Sequence, residues 1–103
     1  MGRGARFVKH MISIEDCIAM CGLDDKEVAA ISEHEQIPEI AAAALAKSLL
    51  NRPRGGVIIR QMIVDDIHKA LDVGRIRHAS ELFAALTHFL ENYPDAREGL
   101  RGQ

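Results

Sequence analysis

The chain has 103 residues, a formal net charge of −2, and 48% hydrophobic residues that include three Phe, one Tyr and no Trp. This length favours one domain with an aliphatic core, and the near-neutral charge excludes a global electrostatic attraction to nucleic acid or to an anionic membrane. No apolar run reaches the roughly 18 residues of a membrane span, and the basic N-terminal segment lacks the apolar stretch of a signal peptide, so we expect a cytoplasmic protein.

Residues 1–11 form a basic segment that we expect to be flexible. A helix is predicted over 13–21, because Ser13 can cap its start and Gly22 can end it. Cys17 and Cys21 lie four residues apart on the apolar face of this helix. That position is typical of buried, reduced thiols.

A second helix is predicted over 25–35, where Asp24 and Glu27 have the spacing of a capping box and Leu23 and Val28 flank it. A third helix is predicted over 38–51, with Pro38 as its first residue. This helix is apolar nearly all round, so we expect it to be the central helix of the fold.

Two amphipathic helices are predicted after the break at Asn51 to Gly56, over 57–73 and 76–93, with Gly74 between them. The expected core stripe of the last helix is Ile76, Ala79, Leu82, Phe83, Leu86, Phe89, Leu90 and Tyr93. The short connection predicts an antiparallel hairpin that holds the helix 38–51.

The sequence therefore predicts an all-α fold, a compact bundle of about five helices in one domain over 12–94, with a frayed tail over 95–103. A chain this short can bury only one helix completely. Because the helices 38–51 and 57–73 both carry wide apolar surfaces, we expect a homodimer that uses one of them.

Candidate polar residues are His34, Glu35 and Asp66. Glu35 and Asp66 fall at or inside the apolar boundary of their helices, where an unpaired carboxylate is costly. Pairing with an Arg or with helix amides is the favoured interpretation, and a site with a raised carboxyl pKa, shared with His34, is the alternative. Glu35 could accept the free amides of the next helix and so fix the angle between helices 25–35 and 38–51.

Arg52 and Arg54 form a candidate anion-binding turn before the start of a helix, although a basic surface turn is the simpler explanation. Three pairs have the i, i+3 spacing of metal-binding bundles: Asp65 with His68, His78 with Glu81, and His88 with Glu91. The helical register puts these pairs on solvent-facing sides. We therefore predict no metal site, no cofactor and no catalytic residue.

Residues 14–33 resemble a helix-turn-helix unit, with Gly22 in the turn and Val28 and Ile31 in the packing positions of the second helix. The resemblance implies binding to nucleic acid. However, the would-be recognition helix carries five acidic residues against Lys26 alone, and these acids would repel phosphates. We favour a plain helical hairpin.

The turn Cys21-Gly22-Leu23, the run 33–40 and the segment Asp65-Asp66-Ile67 resemble short bacterial helical proteins of unknown function. This resemblance implies a helical fold and no particular activity. We expect a macromolecular-interaction or regulatory module without catalysis, with a protein partner of unknown identity. The alternatives are a helix-turn-helix-like nucleic-acid-binding protein and a metal-binding helical-bundle enzyme.

Overall fold

The computed structural model describes residues 21–99. This range contains the helices α1 (Asp25–Glu35), α2 (Glu39–Leu50), α3 (Gly55–Asp72) and α4 (Ile76–Asn92), followed by a short 3-10 helix (Pro94–Arg97) and without any strand. The all-helical prediction is confirmed, with four α-helices in this range where five were predicted for the chain. The segment 1–11 and the predicted helix 13–21, apart from Cys21, lie outside the described residues; Cys21 is buried, as expected.

Helix α1 begins with the capping box that the sequence predicts. Asp24 Oδ1 accepts a hydrogen bond from the amide of Glu27 at 2.8 Å, and Glu27 Oε1 accepts one from the amide of Asp24 at 3.1 Å. Leu23 and Val28 are buried on either side of the cap. The cap satisfies two amides that would otherwise lack partners, and it holds the Glu27 side chain in the interior.

Gln36 and Ser32 form the joint between α1 and α2. Gln36 adopts a left-handed backbone with φ 59°, and the amide of Ile37 donates to the Ser32 carbonyl oxygen at 3.1 Å. Pro38 has an extended backbone as the N-cap of α2, instead of being its first residue. The prediction that Glu35 fixes this angle is wrong, because its side chain is exposed. The joint is made by the left-handed backbone of Gln36, by the backbone hydrogen bond from Ile37 to Ser32, and by a hydrogen bond that the Ser32 hydroxyl donates to the Ile37 carbonyl oxygen.

Helix α2 buries only one of its faces. Ala42, Ala43, Ala46 and Leu49 are buried, whereas Ile40 is 46% exposed. The prediction of a fully surrounded central helix is therefore wrong. Short alanine side chains let α1 and α3 pack on one face of α2, and the apolar residues of the opposite face stay at the surface.

Helix α3 begins at Gly55, two residues earlier than predicted. The backbone of Gly55 packs closely against the end of α2. A Cβ atom added to Gly55 would lie 1.6 Å from the carbonyl oxygen of Leu49. Only glycine fits here, so the glycines that were expected to break the chain begin a helix instead. Arg54, the residue before it, has a left-handed backbone with φ 66°.

Helices α3 and α4 pack against each other as a hairpin. Their three-residue connection makes them antiparallel. The buried side chains are Ile59, Ile63, Asp66 and Ala70 of α3 and Ala79, Leu82, Ala85, Leu86 and Phe89 of α4. The prediction that Ile76 and Phe83 belong to the core stripe is wrong, since these side chains are 62% and 61% exposed at its edge.

The 3-10 helix packs back on the start of α3. Ala96 is buried, and Arg60 Nη1 donates to the carbonyl oxygens of Ala96 at 2.9 Å and of Glu98 at 2.6 Å. The prediction of a frayed tail is thus wrong for residues 95–98, because the Ala96 methyl group is buried and the Arg60 guanidinium binds two carbonyl oxygens of this segment. Residues 100–103 lie outside the described range.

Candidate functional site

Carboxylates of α1 face histidines of α4 along one side of the hairpin. His78 Nε2 lies 2.7 Å from Glu33 Oε1, and His88 Nδ1 lies 2.7 Å from Glu27 Oε2. We call this set, completed by Asp24, the α1–α4 seam. It joins two helices that are far apart in sequence, and it contains two of the five histidines.

Glu27, Asp24 and His88 form the tightest cluster of the seam. Burial raises the pKa of the Glu27 carboxyl, against the opposing effect of its hydrogen bond with His88. The same hydrogen bond raises the pKa of His88, and Asp24 Oδ2 lies 3.1 Å from the same ring nitrogen. Two carboxylate oxygens therefore converge on one nitrogen, an arrangement that stabilises protonated His88.

The ligand atoms of these three residues lie within 4.8 Å of one another, a spacing that could hold a divalent cation. The second oxygen of each carboxylate is already used in the capping box. The proton on His88 Nδ1 lies between the two remaining oxygens, Asp24 Oδ2 and Glu27 Oε2, and satisfies both of them. The cluster is therefore best explained as an ion pair between α1 and α4.

Within the described residues 21–99, Asp66 of α3 is the other buried acid besides Glu27, and its burial agrees with the position predicted from the sequence. Its side chain is 2% exposed, and Oδ2 has no hydrogen-bond partner. Burial raises the pKa of Asp66 to about 6, with a further increase from Glu33 and opposing effects of His34 and Lys69. Ionising a carboxyl group in this setting costs free energy, because the charge is buried and one oxygen accepts no hydrogen bond.

His34 is close enough to Asp66 to lower its pKa, whereas Glu35 is exposed to solvent. His34 influences the Asp66 carboxyl through its charge and lies 3.6 Å from Asp65 Oδ2, so the structure brings His34 and Asp66 into one neighbourhood. Glu35 points to solvent, where its Oε2 lies 2.9 Å from His34 Nδ1. The expectation that Glu35 lies toward the core is wrong, because its side chain is exposed, whereas Glu33 and His34 of the same turn contact His78 of α4 and Asp65 of α3.

The histidine and acid pairs singled out by spacing have other partners. His88 pairs with Glu27 and Asp24 of α1, and His78 makes its shorter contact with Glu33, while its 3.5 Å contact with Glu81 is the longer one. His68 is exposed on α3. The two histidines of α4 therefore make their shortest carboxylate contacts with residues of the α1 side, not with the acid three residues away along α4.

Arg52 and Arg54 line an open cleft between the α2–α3 turn and the 3-10 helix, together with Tyr93 and Arg97. Both candidate arginines are exposed, and Arg54 Nη1 pairs with Glu98 Oε1 at 3.0 Å. Glu98 thus neutralises part of the charge that would attract an anion. Anion binding at this turn stays a prediction.

Helix α4 presents an uncharged surface to solvent beside its buried stripe. Its members, the α4 strip, are Ile76, Ser80, Phe83, Ala84, Thr87 and the half-buried Leu90. Leu71 and Val73, 48% and 70% exposed, extend it at the α3–α4 turn. His78 and His88, which contact α1, are each about 140° around the helix from Phe83, so the strip faces away from α1.

Sequence reasoning missed the α4 strip and the roles of Glu27 and Glu33. A signal for the strip was present, because Ile76, Phe83 and Leu90 repeat every seven residues and so share one face. Glu27 could be recognised as a cap, but its burial depends on α4. No local signal pairs Glu33 with His78, 45 residues away.

The chain matches no protein-family model, and comparisons with curated proteins and with solved structures give no match either. No helix within residues 21–99 is long and apolar enough to cross a membrane.

Proposed function

We propose that this protein is a protein-interaction module without catalysis that works as a homodimer. The observation that carries the proposal is the α4 strip, which leaves Ile76 and Phe83 more than half exposed. The proposed dimer face is therefore on α4, instead of on the helices 38–51 or 57–73 that the sequence suggested. Exposed apolar side chains that adjoin one another are typical of surfaces that bind another protein. A regulatory role and the cytoplasmic location expected from the sequence belong to the same proposal.

The polar clusters support a structural role better than a catalytic one. The imidazoles of His78 and His88 contact carboxylates of α1, and they thereby link helices of the domain. A metal-dependent bundle enzyme would need ligands that converge from facing helices on a free position. A nucleic-acid-binding protein would need a basic face, whereas the exposed surface of α1 carries Asp25, Glu33 and Glu35.

Sedimentation velocity over a range of protein concentrations tests the proposal. We expect a dimer at tens of micromolar for the wild-type chain and a monomer for Phe83→Ser, with unchanged helical circular dichroism. Ile58→Ser is the matched control, because Ile58 is 41% exposed on α3 outside the strip. A wild-type monomer at these concentrations would contradict the homodimer, and a dimer that is lost equally in both variants would contradict the α4 strip as its interface.

A further inference from the structure

We infer that a second copy of this chain covers the α4 strip, with the two α4 helices antiparallel and a two-fold axis at the level of Phe83 and Ala84. The inference rests on the proposed function and names the partner and its register. Four observations support it: the length of the strip, the match of its residues to one another, the charges at its ends, and its single accessible face.

The strip is long enough for a helix-to-helix contact. From Ile76 to Leu90 it spans about 21 Å at 1.5 Å per residue. None of its members is charged, and two of its large side chains are more than 60% exposed. A second helix laid along this line would remove both Ile76 and Phe83 from water.

The residues of the strip match those of a second copy when the second α4 helix runs in the opposite direction. In an antiparallel pair, Ile76 of one copy meets Leu90 of the other, and Ser80 meets Thr87. The two Phe83 rings then lie next to each other across the two-fold axis, beside the small Ala84. Apolar residues meet apolar ones and hydroxyls meet hydroxyls, as an isologous interface requires.

Charges at the two ends select the antiparallel orientation. Arg77 lies near the N-terminal end of α4 and Glu91 near its C-terminal end, both exposed on the same flank of the strip. The antiparallel register places Arg77 of each copy beside Glu91 of the other, and it also opposes the helix dipoles favourably. A parallel pair would instead place both Arg77 at one end and both Glu91 at the other, on opposite flanks, so neither would meet an opposite charge of the partner, and the helix dipoles would be aligned unfavourably.

The remaining faces of the hairpin are less suited to a second copy. The seam side of α4 is occupied by α1. Leu71 and Val73, at the α3–α4 turn next to the N-terminal end of the strip, add further exposed apolar side chains. Because it joins one helix of each copy, we expect this contact to be smaller than the roughly 800 Å² per partner of a standard interface, and its Kd to be on the order of 10 µM.

Charge reversal with rescue tests the register. We expect Arg77→Glu and Glu91→Arg, each alone, to raise the dimer Kd about tenfold, because each creates like-charge contacts at both ends of the interface. An equimolar mixture of the two variants should form a heterodimer with a Kd near that of the wild type, since the contact at each end again joins opposite charges. Lys26→Glu on α1 is the control for the same change in charge and should leave the Kd unchanged.

Sedimentation velocity of the separate and mixed variants distinguishes the outcomes, with circular dichroism as the check on folding. A wild-type dimer that Phe83→Ser disrupts, but whose charge variants are not rescued on mixing, would overturn the antiparallel register and leave the proposed function standing. A wild-type chain that stays monomeric would overturn the homodimer itself. A strip covered by residues 1–20 of the same chain would give that second result.

Discussion

Asp66 is a buried carboxyl group with one oxygen that accepts no hydrogen bond. Its folded-state pKa of about 6 lies above the ordinary value of 3.8 because burial disfavours the charge. The stability that depends on protonated Asp66 is therefore fully present below pH 3.8 and is lost as the pH rises through about 6. At neutral pH the ionised group weakens the fold.

Replacing Asp66 by Asn should consequently stabilise the protein more at high pH than at low pH. We expect the stability of Asp66→Asn relative to the wild type to increase by on the order of 1 kcal/mol between pH 5 and pH 8, measured by urea unfolding. Asp65→Asn, at the neighbouring and more exposed position, is the control. A relative stability of Asp66→Asn that falls with pH would show that the carboxylate is satisfied in solution.

At the scale of secondary-structure elements, the contact between His88 and Glu27 links α4 to the first turn of α1. The pKa of His88 is raised by its hydrogen bond to Glu27, so the stabilising effect of the protonated ring is present below pH 6.5 and is lost as the pH rises through the folded value. This pH dependence should be visible in the stability difference between the wild type and a variant that lacks the ring.

We expect His88→Ala to lower the melting temperature, and to lower it more at pH 6 than at pH 9, because the variant leaves the buried Glu27 without its histidine partner. His68→Ala, at an exposed position of α3, should change the melting temperature little at either pH. Thermal unfolding followed by circular dichroism gives both values. An equal effect of His88→Ala at the two pH values would exclude a role for the charged ring.

For the whole molecule, the proposed homodimer links folding to protein concentration. A dimer that forms only from folded chains should raise the melting temperature by a few degrees between roughly 2 and 200 µM protein. Phe83→Ser should remove this dependence and leave the melting temperature close to that of the dilute wild type. Differential scanning calorimetry over this range gives the result, and a concentration-independent wild type would contradict the coupling.

Local sequence determined most of the helical architecture. The bounds of α1 follow from the Asp24 and Glu27 cap and from apolar periodicity, and they were predicted to the residue. The bounds of α2, α3 and α4 were predicted to within two residues. These features depend on interactions between residues at most a few positions apart, and such interactions are visible in a sequence.

Tertiary structure decided which edge of each amphipathic helix is covered. The 100° helical period identifies the apolar face of a helix. Where this face is wider than the surface that neighbouring helices cover, its edge stays outside the core, as for Ile76 and Phe83. Tertiary structure also decided that Glu27 is buried, that Glu35 is exposed and that Gly55 begins a helix. In each case the deciding atoms, such as His88 or the Leu49 carbonyl, belong to another element, so only packing brings them together.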